Sequence, residues 1–399
     1  MSKWEMVRLG DEIKVTSGGT PSRAINEYWI GGAGDTLVPW VKTGDLKSMY
    51  LSEVDESITT TGLQNCSAKM FPKDTLLVAM YGATIGACSI LNIPASTNQA
   101  CAALLPNNKY LPAFLYYYFL SIKDKLISMG VGGAQPNISG TMIQSLKIPL
   151  PPLDVQHHIA DVLNRVGTLI EKRKAQIDKL DLLVKSRFVE MFGDPVTNPM
   201  GWEVKRLESL GTLKNGMNFR NSDSGASIKC LGVGDFHDHT RIDGVSNLSE
   251  INLNVIPPND YLLHDGDIVF VRSNGNKALV GRSVVVNLDE EQATFSGFCI
   301  RFRLTEDDVI VDYIAQLLRH SSVKFQMFRD VRGANITNLN QKILSALDIP
   351  TPPLPLQHRF ADFVRATDKS KFVLQRGLDK LEFLYQSLMQ KCFAGELFN

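Results

Sequence analysis

The side chains of this sequence that could do chemistry are mostly polar and basic residues on loops that also carry glycine. Arginine, lysine, asparagine and glutamine match the edges of nucleic-acid bases and the phosphates beside them, so we predict that these loops contact DNA. In the first half of the chain the candidates are Thr20, Ser22, Arg23, Lys42, Tyr81, Thr84, Asn98, Gln99 and Gln135. In the second half they are Asn218, Arg220, Arg272, Asn274, Asn276, Lys277, Arg282, Arg332 and Asn335. The alternative for many of them is to cap turns or face water, as polar loop residues commonly do.

Catalytic motifs of DNA-modifying enzymes are missing from the sequence. An adenine methyltransferase needs Asn/Asp-Pro-Pro-Tyr/Phe, whose polar group holds the target amine while the aromatic ring stacks on the flipped base. The nearest run, Ile256–Asn259, has neither the leading amide nor the aromatic residue in place. A P-loop needs G-x-x-x-x-G-K-[ST], and Ser273–Ala278 lacks both the spacing and the hydroxyl. His237 and His239 could bind a metal, but no further ligand lies nearby in sequence, so we favour a polar loop tip. We predict neither a catalytic site nor a metal site.

Three matched pairs of residues are predicted to be structural: Asp45 and Asp235, His157 and His358, and Cys101 and Cys299. Each aspartate follows a glycine and is expected to close a turn. Each histidine precedes a long helical pattern and is expected to cap it or pack at its start. The cysteines are expected to be small buried side chains.

The sequence contains an internal repeat with a period of roughly 200 residues, which is the length of a duplicated domain rather than of a solenoid repeat. The clearest element is Ile148–Leu153 followed by Gln156, which recurs as Ile349–Leu354 followed by Gln357. Further motifs recur in the same order, among them Trp4-Glu5 as Trp202-Glu203, Trp40–Leu46 as Cys230–Phe236, and Gly133-Ala134 as Gly333-Ala334. Recurrence in the same order indicates duplication.

Each half begins with a segment of mixed α/β pattern, residues 1–150 and 198–350. Short apolar runs predict buried strands at Leu76–Met80, Asp267–Val271 and Val284–Val286. Longer patterns predict helices at Tyr110–Leu126 and Asp312–Arg329. We therefore expect two similar globular domains.

Each half ends with a long amphipathic helix, in residues 151–197 and 351–399. The first predicted apolar series is Ile159, Val162, Val166, Leu169, Ile177, Leu180 and Leu183, with Arg173 as a polar interruption. The second is Phe360, Phe363, Val364, Val373, Leu374, Leu378, Leu381, Leu384, Leu388 and Met389. Each helix should run for about 38 residues, or about 57 Å, with the three-four spacing of a coiled coil. The predicted fold is α+β: two similar mixed α/β domains separated by a pair of long antiparallel coiled-coil helices, with a pseudo-twofold internal repeat.

Composition is that of a globular protein, with 44% hydrophobic and 21% charged residues. The formal net charge of zero counts against a DNA-binding protein, unless its cationic residues are clustered where DNA lies. No run approaches the roughly 20 apolar residues needed to span a membrane, and Met1–Glu5 does not resemble the start of a signal peptide. The six cysteines form no C-x-x-C pair, which predicts reduced thiols and a cytoplasmic location.

Several runs resemble those of type I restriction-modification specificity subunits: Gly18–Ser22, Tyr81–Gly86, Thr97–Ala100, Gly133–Ser139, and the Ile-Pro-x-Pro-Pro-Leu run before each long helix. The resemblance covers essentially the whole chain. It implies two target-recognition domains on double-stranded DNA, and helices that dock two modification subunits to form an adenine-N6 methyltransferase. It also implies two restriction subunits that can join the complex, with S-adenosylmethionine, ATP and magnesium bound by the partners. The second domain departs from the pattern, because Lys214–Phe219 stands where a Gly-Gly-Thr-Pro run is expected.

Three classes of function remain open from the sequence. The first is a non-catalytic specificity subunit that reads a bipartite, asymmetric DNA target whose gap is set by the helices. The second is a stand-alone DNA enzyme with degenerate motifs, and the third is a scaffold that joins two protein partners. Missing motifs count against the second class, whereas the neutral charge leaves the third open.

Overall fold

A computed structural model describes residues 4–31, 36–132, 136–219, 225–236, 240–289, 291–328 and 338–398. The chain divides into two compact units. The first unit comprises Met1–Lys174 with Arg376–Asn399, and the second comprises Ala175–Gln375. Each unit holds one globular domain together with part of each long helix.

The elements of the first half follow in the order of the chain. Its strands are β1 (Met6–Arg8), β2 (Val15–Ser17), β3 (Leu37–Val41), β4 (Tyr50–Leu51), β5 (Ser57–Thr59), β6 (Leu76–Ala79), β7 (Cys88–Leu91), β8 (Ser96–Thr97), β9 (Cys101–Leu104) and β10 (Lys147–Pro149). Its helices are α1 (Leu9–Glu12), α2 (Thr60–Gln64), α3 (Pro112–Ser121), α4 (Lys123–Ser128), α5 (Gly140–Gln144) and the long helix α6 (Leu153–Phe192).

The second half repeats this succession, but its described residues contain no α-helix that matches α2. Its strands are β11 (Val204–Arg206), β12 (Gly211–Asn215), β13 (Ala226–Leu231), β14 (Arg241–Asp243), β15 (Ser249–Leu253), β16 (Ile268–Val271), β17 (Ser283–Asn287), β18 (Ala293–Phe295), β19 (Cys299–Leu304) and β20 (Asp348–Pro350). Its helices are α7 (Leu207–Leu210), α8 (Val311–Arg319), α9 (Ser321–Phe328), α10 (Gln341–Ser345) and the long helix α11 (Leu354–Ala394).

Sheet topology repeats between the two units. The first contains a five-stranded sheet in the order β2-β9-β6-β7-β4, a three-stranded sheet β5-β3-β8 and the ribbon β1-β10. The second contains β12-β19-β16-β17-β14, β15-β13-β18 and β11-β20. Because strand order and direction match throughout, the duplication predicted from the sequence is confirmed.

The central strands of each five-stranded sheet are buried on both faces, which explains their continuous apolar runs. In the first unit Leu76 and Val78 pack in one core with Phe114 of α3, while Leu77 and Ala79 belong to a core on the other face. β16 divides its side chains between two cores in the same way. The predicted buried strands are confirmed.

Each predicted domain helix is in fact two helices. In the first unit the interruption falls at Ile122, where the Ser121 hydroxyl donates to the Tyr118 carbonyl at 2.7 Å and competes with the backbone hydrogen bond. In the second unit it falls at His320, whose ψ is 140°. A straight helix would turn Val323 about 140° away from Leu318 at 100° per residue, yet both are buried in one core. Tertiary packing therefore breaks the helix.

The two long helices pack against each other within each unit. In the first unit Leu163 of α6 shares a core with Met389 of α11, and Lys174 pairs with Glu382 at 2.7 Å. The early part of α6 thus meets the late part of α11, as expected for an antiparallel pair.

In the second unit Phe188 of α6 packs on Phe360 of α11 with ring centroids 5.5 Å apart. Lys371 pairs with Asp181 at 2.7 Å. The late part of α6 therefore meets the early part of α11, and the predicted antiparallel pair is confirmed in both units. The helices have 40 and 41 residues, or about 60 Å each.

The predicted apolar series is wrong at four positions. Leu169, Leu183, Val373 and Leu384 are 53%, 48%, 63% and 60% exposed. The buried positions of α6 include the predicted Ile177 together with Leu163, Ile170 and Val184, which were not predicted, and the four lie at seven-residue intervals. In α11 they include Thr367 and Leu378. Several apolar residues stand next to each other in both helices, so the choice between neighbours depends on the partner helix.

A buried glutamine joins each long helix to its globular domain. The Gln156 amide donates to the carbonyls of Lys109 and Pro151 at 2.8 and 3.0 Å, and its oxygen accepts from the Leu111 N–H at 2.9 Å. Gln357 makes the same three bonds in the second unit: to the carbonyls of Asp308 and Pro352 and from the Ile310 N–H. His157 and His358 are exposed, so their predicted packing role is wrong, and the residue before each one makes the connection.

Replacing Gln156 with leucine should lower the free energy of unfolding by about 3 kcal/mol, because three buried backbone groups lose their partner. Gln357→Leu should behave alike. His157→Ala and His358→Ala are matched controls and should change it by no more than about 0.5 kcal/mol. Denaturant-induced unfolding measures the free energy of unfolding of all four variants. Equal effects of glutamine and histidine variants would contradict this assignment.

Candidate DNA interface

Predicted DNA-contacting residues of the first unit meet where two parallel strands end. Strands β3 and β8 pair in parallel, so Lys42 and Asn98, which follow them, lie side by side. The Asn98 N–H donates to the Val41 carbonyl at 3.0 Å. The Thr20 hydroxyl donates to the Gln99 side-chain oxygen at 2.5 Å. The structure therefore brings four of the predicted residues together.

Glycine allows the Thr20 segment to lie against this strand end. A Cβ atom on Gly18 would fall 1.9 Å from the Thr97 carbonyl oxygen, and one on Gly19 would fall 2.2 Å from the Ser67 hydroxyl. Non-bonded atoms cannot lie this close together. Both positions therefore need glycine so that the backbone can approach the neighbouring segment. The Gly-Gly-Thr-Pro run therefore has a steric cause in this domain.

Arg23 and Lys42 are held in place by one carboxylate. Both donate to Glu56 at 2.6 Å, and these hydrogen bonds, from Lys42 first and then Arg23, hold the pKa of Glu56 below its usual value. The Arg23 guanidinium also lies 3.5 Å from the ring centroid of Trp29, and the Trp29 indole N–H donates to the Ser22 carbonyl at 3.0 Å. Arg23 and Lys42 are therefore held beside an aromatic ring, with Asp45 and Asp55 as further acidic neighbours of Lys42.

Tyr81 and Thr84 lie on the neighbouring loop after β6. The Thr84 hydroxyl donates to the Tyr81 carbonyl at 2.8 Å, and Gly82 has a φ of 59°, which favours glycine. The Tyr81 side chain is 42% exposed. The Met80 N–H donates to the Ala100 carbonyl at 2.9 Å, so this loop adjoins the Asn98 loop. A base could stack on the exposed tyrosine.

The second unit presents different residues at the same strand ends. There Gly232 follows β13 and Ser296 follows β18, and the Ser296 N–H donates to the Leu231 carbonyl at 3.0 Å. The Arg272 N–H donates to the Phe298 carbonyl at 2.7 Å. Phe298 is 61% exposed, and the sequence analysis missed it. Its signal was an aromatic residue next to a glycine in a loop.

Other predicted residues of the second unit close turns. The Asn274 side-chain oxygen accepts from the Asn276 N–H at 2.8 Å, and that of Asn276 accepts from the Ala278 N–H at 3.1 Å. The Asn218 side chain packs against Gly297: a Cβ atom added to Gly297 would lie 2.1 Å from the Asn218 side-chain oxygen. Lys277 is exposed on the same loop as Asn276. Gln135, Arg220, Arg332 and Asn335 lie outside the described residues.

Two aspartates and two cysteines have the structural roles predicted for them. The Asp45 carboxylate accepts from the Lys42 N–H at 2.8 Å, and that of Asp235 accepts from the Gly232 N–H at 2.7 Å, so both close the predicted turns. Cys101 and Cys299 are fully buried, as predicted. Burial raises the pKa of the Cys101 thiol to about 12, which keeps it protonated and unreactive.

Two kinds of feature are missing from the described part of the chain. Within it, no group of three or more histidine, cysteine, aspartate or glutamate side chains is placed to hold a metal ion; His237 and His239 lie outside it. No helix that the structure describes combines the length and apolar character of a membrane span.

Comparison with known proteins places these features in a family. A family model described as the type I restriction modification DNA specificity domain matches residues 1–180 and 199–382. The MjaIX specificity subunit of Methanocaldococcus jannaschii, from a type I restriction enzyme, is 26% identical over 99% of this chain and 93% of its own. The EcoKI specificity subunit of Escherichia coli K12 is 23% identical over 91% and 83% of the two chains.

Solved structures share the fold. The S subunit of a type I restriction-modification system from M. genitalium aligns with a TM-score of 0.53 and 15% identity, over 98% of this chain and 96% of that one. A chain from a study of complex assembly and conformational transition of the type I R-M system aligns with a TM-score of 0.60 and 18% identity, over 99% and 98%.

Proposed function

Because the chain belongs to the family of type I restriction-modification DNA specificity domains, we propose that it reads a bipartite, asymmetric DNA target, one half-site with each globular domain. The observation that carries the proposal is the duplicated topology with different residues at the matching loops. As a specificity subunit, the chain supplies recognition and no catalytic group.

Chemistry at the matching loops supports two different half-sites. Where the first domain has Lys42 and Asn98, the second has Gly232 and Ser296. Two residues further along the loop the first domain has Ala100, whereas the second has the exposed Phe298. Amide and ammonium groups hydrogen-bond to base edges and phosphates, whereas an aromatic ring stacks on bases or contacts the thymine methyl group. The two domains should therefore prefer different base sequences.

The long helices are suited to fixing the unread gap between the half-sites. They have nearly equal lengths of 40 and 41 residues and pack in each unit along buried positions at coiled-coil spacing. Proteins that read two half-sites need a fixed spacing so that both readers meet the same face of the duplex. We attribute that spacing to the helices.

Two exposed apolar pairs at matching positions of these helices are suited to docking partner subunits. Leu182 and Leu183 on α6 are 61% and 48% exposed, and Phe383 and Leu384 on α11 are 76% and 60% exposed. The pairs are related by the same 201-residue offset that relates Gln156 to Gln357. Adjacent exposed apolar residues mark interaction surfaces, and one pair per repeat fits two copies of the same partner.

We assign each apolar pair to one modification subunit, giving a complex that methylates adenine at N6. Two restriction subunits would join this complex. S-adenosylmethionine, ATP and magnesium would be bound by the partner subunits, and the cytoplasm would be the place of action.

The test is co-expression of the chain with a modification subunit of a type I system, followed by sequencing of methylated adenines in the host DNA. We expect methylation of a single gapped sequence, and no methylation by the purified chain alone. Methylation or cleavage by the isolated chain would instead favour a stand-alone enzyme. A complex without sequence preference would favour a scaffold.

A further inference from the structure

A polar cleft of about 320 Å³ opens in the second unit between α6, α8, α9, α11 and the strands β14 and β17. Its described lining contains three aspartates and twice as many cationic residues, so the cleft is positively charged. The cationic residues are Lys185, Arg241, Arg282, Arg319, Lys324 and Lys371. Such a concentration of positive charge is notable in a chain whose net charge is zero.

Two of the aspartates neutralise one end of the cleft. Asp312 accepts from Arg241 at 2.9 Å and from Arg365 at 3.0 Å, and Asp181 accepts from Lys371 at 2.7 Å. The third, Asp368, is half-buried, and burial raises its pKa. Asp312 and Asp181 are therefore already paired, and Asp368 has Arg241, Lys371 and Arg319 as charged neighbours.

At the other end the cations face one another. Burial lowers the pKa of Lys324 below its usual value, and the next causes are the positive charges of Arg282, Arg319 and Lys185. No carboxylate contributes to that shift, and within the described residues Lys324 has no ion-pair partner. A half-buried lysine in a field of like charge is stabilised by binding an anion.

Arg319 is occupied by the protein itself. Its guanidinium donates to the Ser283 carbonyl at 3.3 Å and to the Thr240 carbonyl, which ties the end of α8 to the sheet. Lys185 and Lys324 are therefore the side chains that would hold an anion, and Arg282 and Arg319 shape the site.

The residues at the matching place of the first unit are different. The two sheets can be aligned by their strand pairing, since Leu76 pairs with Ile90 in the first unit and Ile268 pairs with Val285 in the second. Helices α3 and α8 can be aligned by the buried glutamines, which accept hydrogen bonds from the N–H groups of Leu111 and Ile310. By these alignments a tyrosine in the first unit replaces each of four cleft residues. The replacements are Tyr50 for Arg241, Tyr116 for Ala315, Tyr117 for Gln316 and Tyr385 for Val184.

The tyrosine rings fill the first unit's version of the cleft. Tyr116 and Tyr117 pack edge to face with centroids 5.2 Å apart, and the Tyr117 hydroxyl donates to the Asn164 side-chain oxygen at 2.6 Å. Where the repeat has Ala315 and Val184, the same space is open and lined by charge. The two repeats have therefore diverged from a packed aromatic cluster to an open cationic cleft, or the reverse.

We propose that this cleft binds a phosphate group, and that the phosphate belongs to the DNA backbone beside the half-site read by the second domain. The inference rests on the proposed function. DNA is favoured over a free anion because Arg282 adjoins the loop that carries Asn274 and Lys277. Its Nε–H donates to the Ala278 carbonyl at 3.4 Å, so a cleft residue lies next to the end of that loop. The first domain lacks this contact, and the electrostatic part of binding is unequal between the half-sites.

The test measures the salt dependence of DNA affinity for the complex of the full chain with its modification subunit. Lys185→Gln combined with Lys324→Gln should make the slope of log affinity against log salt shallower by about 0.9, the value of one lost phosphate contact. The methylated sequence should stay the same, because phosphate contacts carry no sequence information directly. An unchanged slope would overturn the proposal.

Two further variants separate charge from folding. Lys125→Gln removes an exposed lysine of α4 in the first unit, outside the cleft, and should leave the slope unchanged. Ala315→Tyr restores the residue of the first repeat and should make the slope shallower without removing any charge. Melting temperatures identify a variant that has lost its fold, and Lys324→Arg should retain the wild-type slope.

Inorganic phosphate distinguishes the two sources of the ligand. If it binds the DNA-free complex through Lys185 and Lys324 while their loss leaves the DNA slope unchanged, the site takes a free anion and the DNA assignment is wrong. Failure of the proposed function is separately visible, because the wild-type complex would then bind DNA without sequence preference.

Discussion

Aspartate at both exposed apolar pairs should abolish methylation by the complex while leaving the chain folded. The variant combines Leu182→Asp, Leu183→Asp, Phe383→Asp and Leu384→Asp. Burying a carboxylate in an apolar interface costs several kcal/mol, and a loss of about 3 kcal/mol raises the dissociation constant more than a hundredfold. Because these four side chains face solvent in the chain itself, the free energy of unfolding should change little.

Changing one pair at a time gives a sharper result. Leu182→Asp with Leu183→Asp should leave one modification subunit bound per chain, and so should the change at Phe383 and Leu384. Native mass spectrometry measures this stoichiometry. Lys172→Asp and Lys369→Asp are matched controls, since both lysines are exposed on the same two helices, and two subunits should remain. Two subunits bound to the four-aspartate variant would rule out these pairs as the docking surface.

Exchanging residues 1–150 for those of another family member should change one half of the methylated target and leave the other half and the gap unchanged. The junction should tolerate the exchange because Gln156 bonds to backbone groups of Lys109 and Leu111. Backbone groups are present whatever side chains the exchanged domain carries. Each mismatched base pair costs about 1 to 3 kcal/mol, so the original target should no longer be methylated.

Sequencing of methylated adenines measures the outcome. The reciprocal exchange of residues 198–350 is the control and should change only the other half-site. A chain in which both halves of the target change, or neither, would show that the two domains do not read DNA independently.

The sequence by itself determined the features that depend on local pattern. The repeated Ile-Pro-x-Pro-Pro-Leu run and the matched Gly-Asp turns revealed the duplication. The apolar runs at Leu76–Met80 and Asp267–Val271 identified the central strands, because strands buried on both faces are continuously apolar. The length of the two amphipathic patterns was enough to predict long helices, although adjacent apolar residues such as Leu169 and Ile170 left the buried face ambiguous.

Only the tertiary structure decided which polar side chains act together. The roles of Gln156 and Gln357 depend on backbone groups more than 40 residues away in the chain, and the pairing of Arg23 and Lys42 depends on Glu56. The cationic cleft joins side chains from α6, α9 and the loop before β17, which no sequence pattern places together. The physical reason is that burial and pairing are set by contacts between distant segments, whereas periodicity and turn chemistry are set by neighbours in the chain.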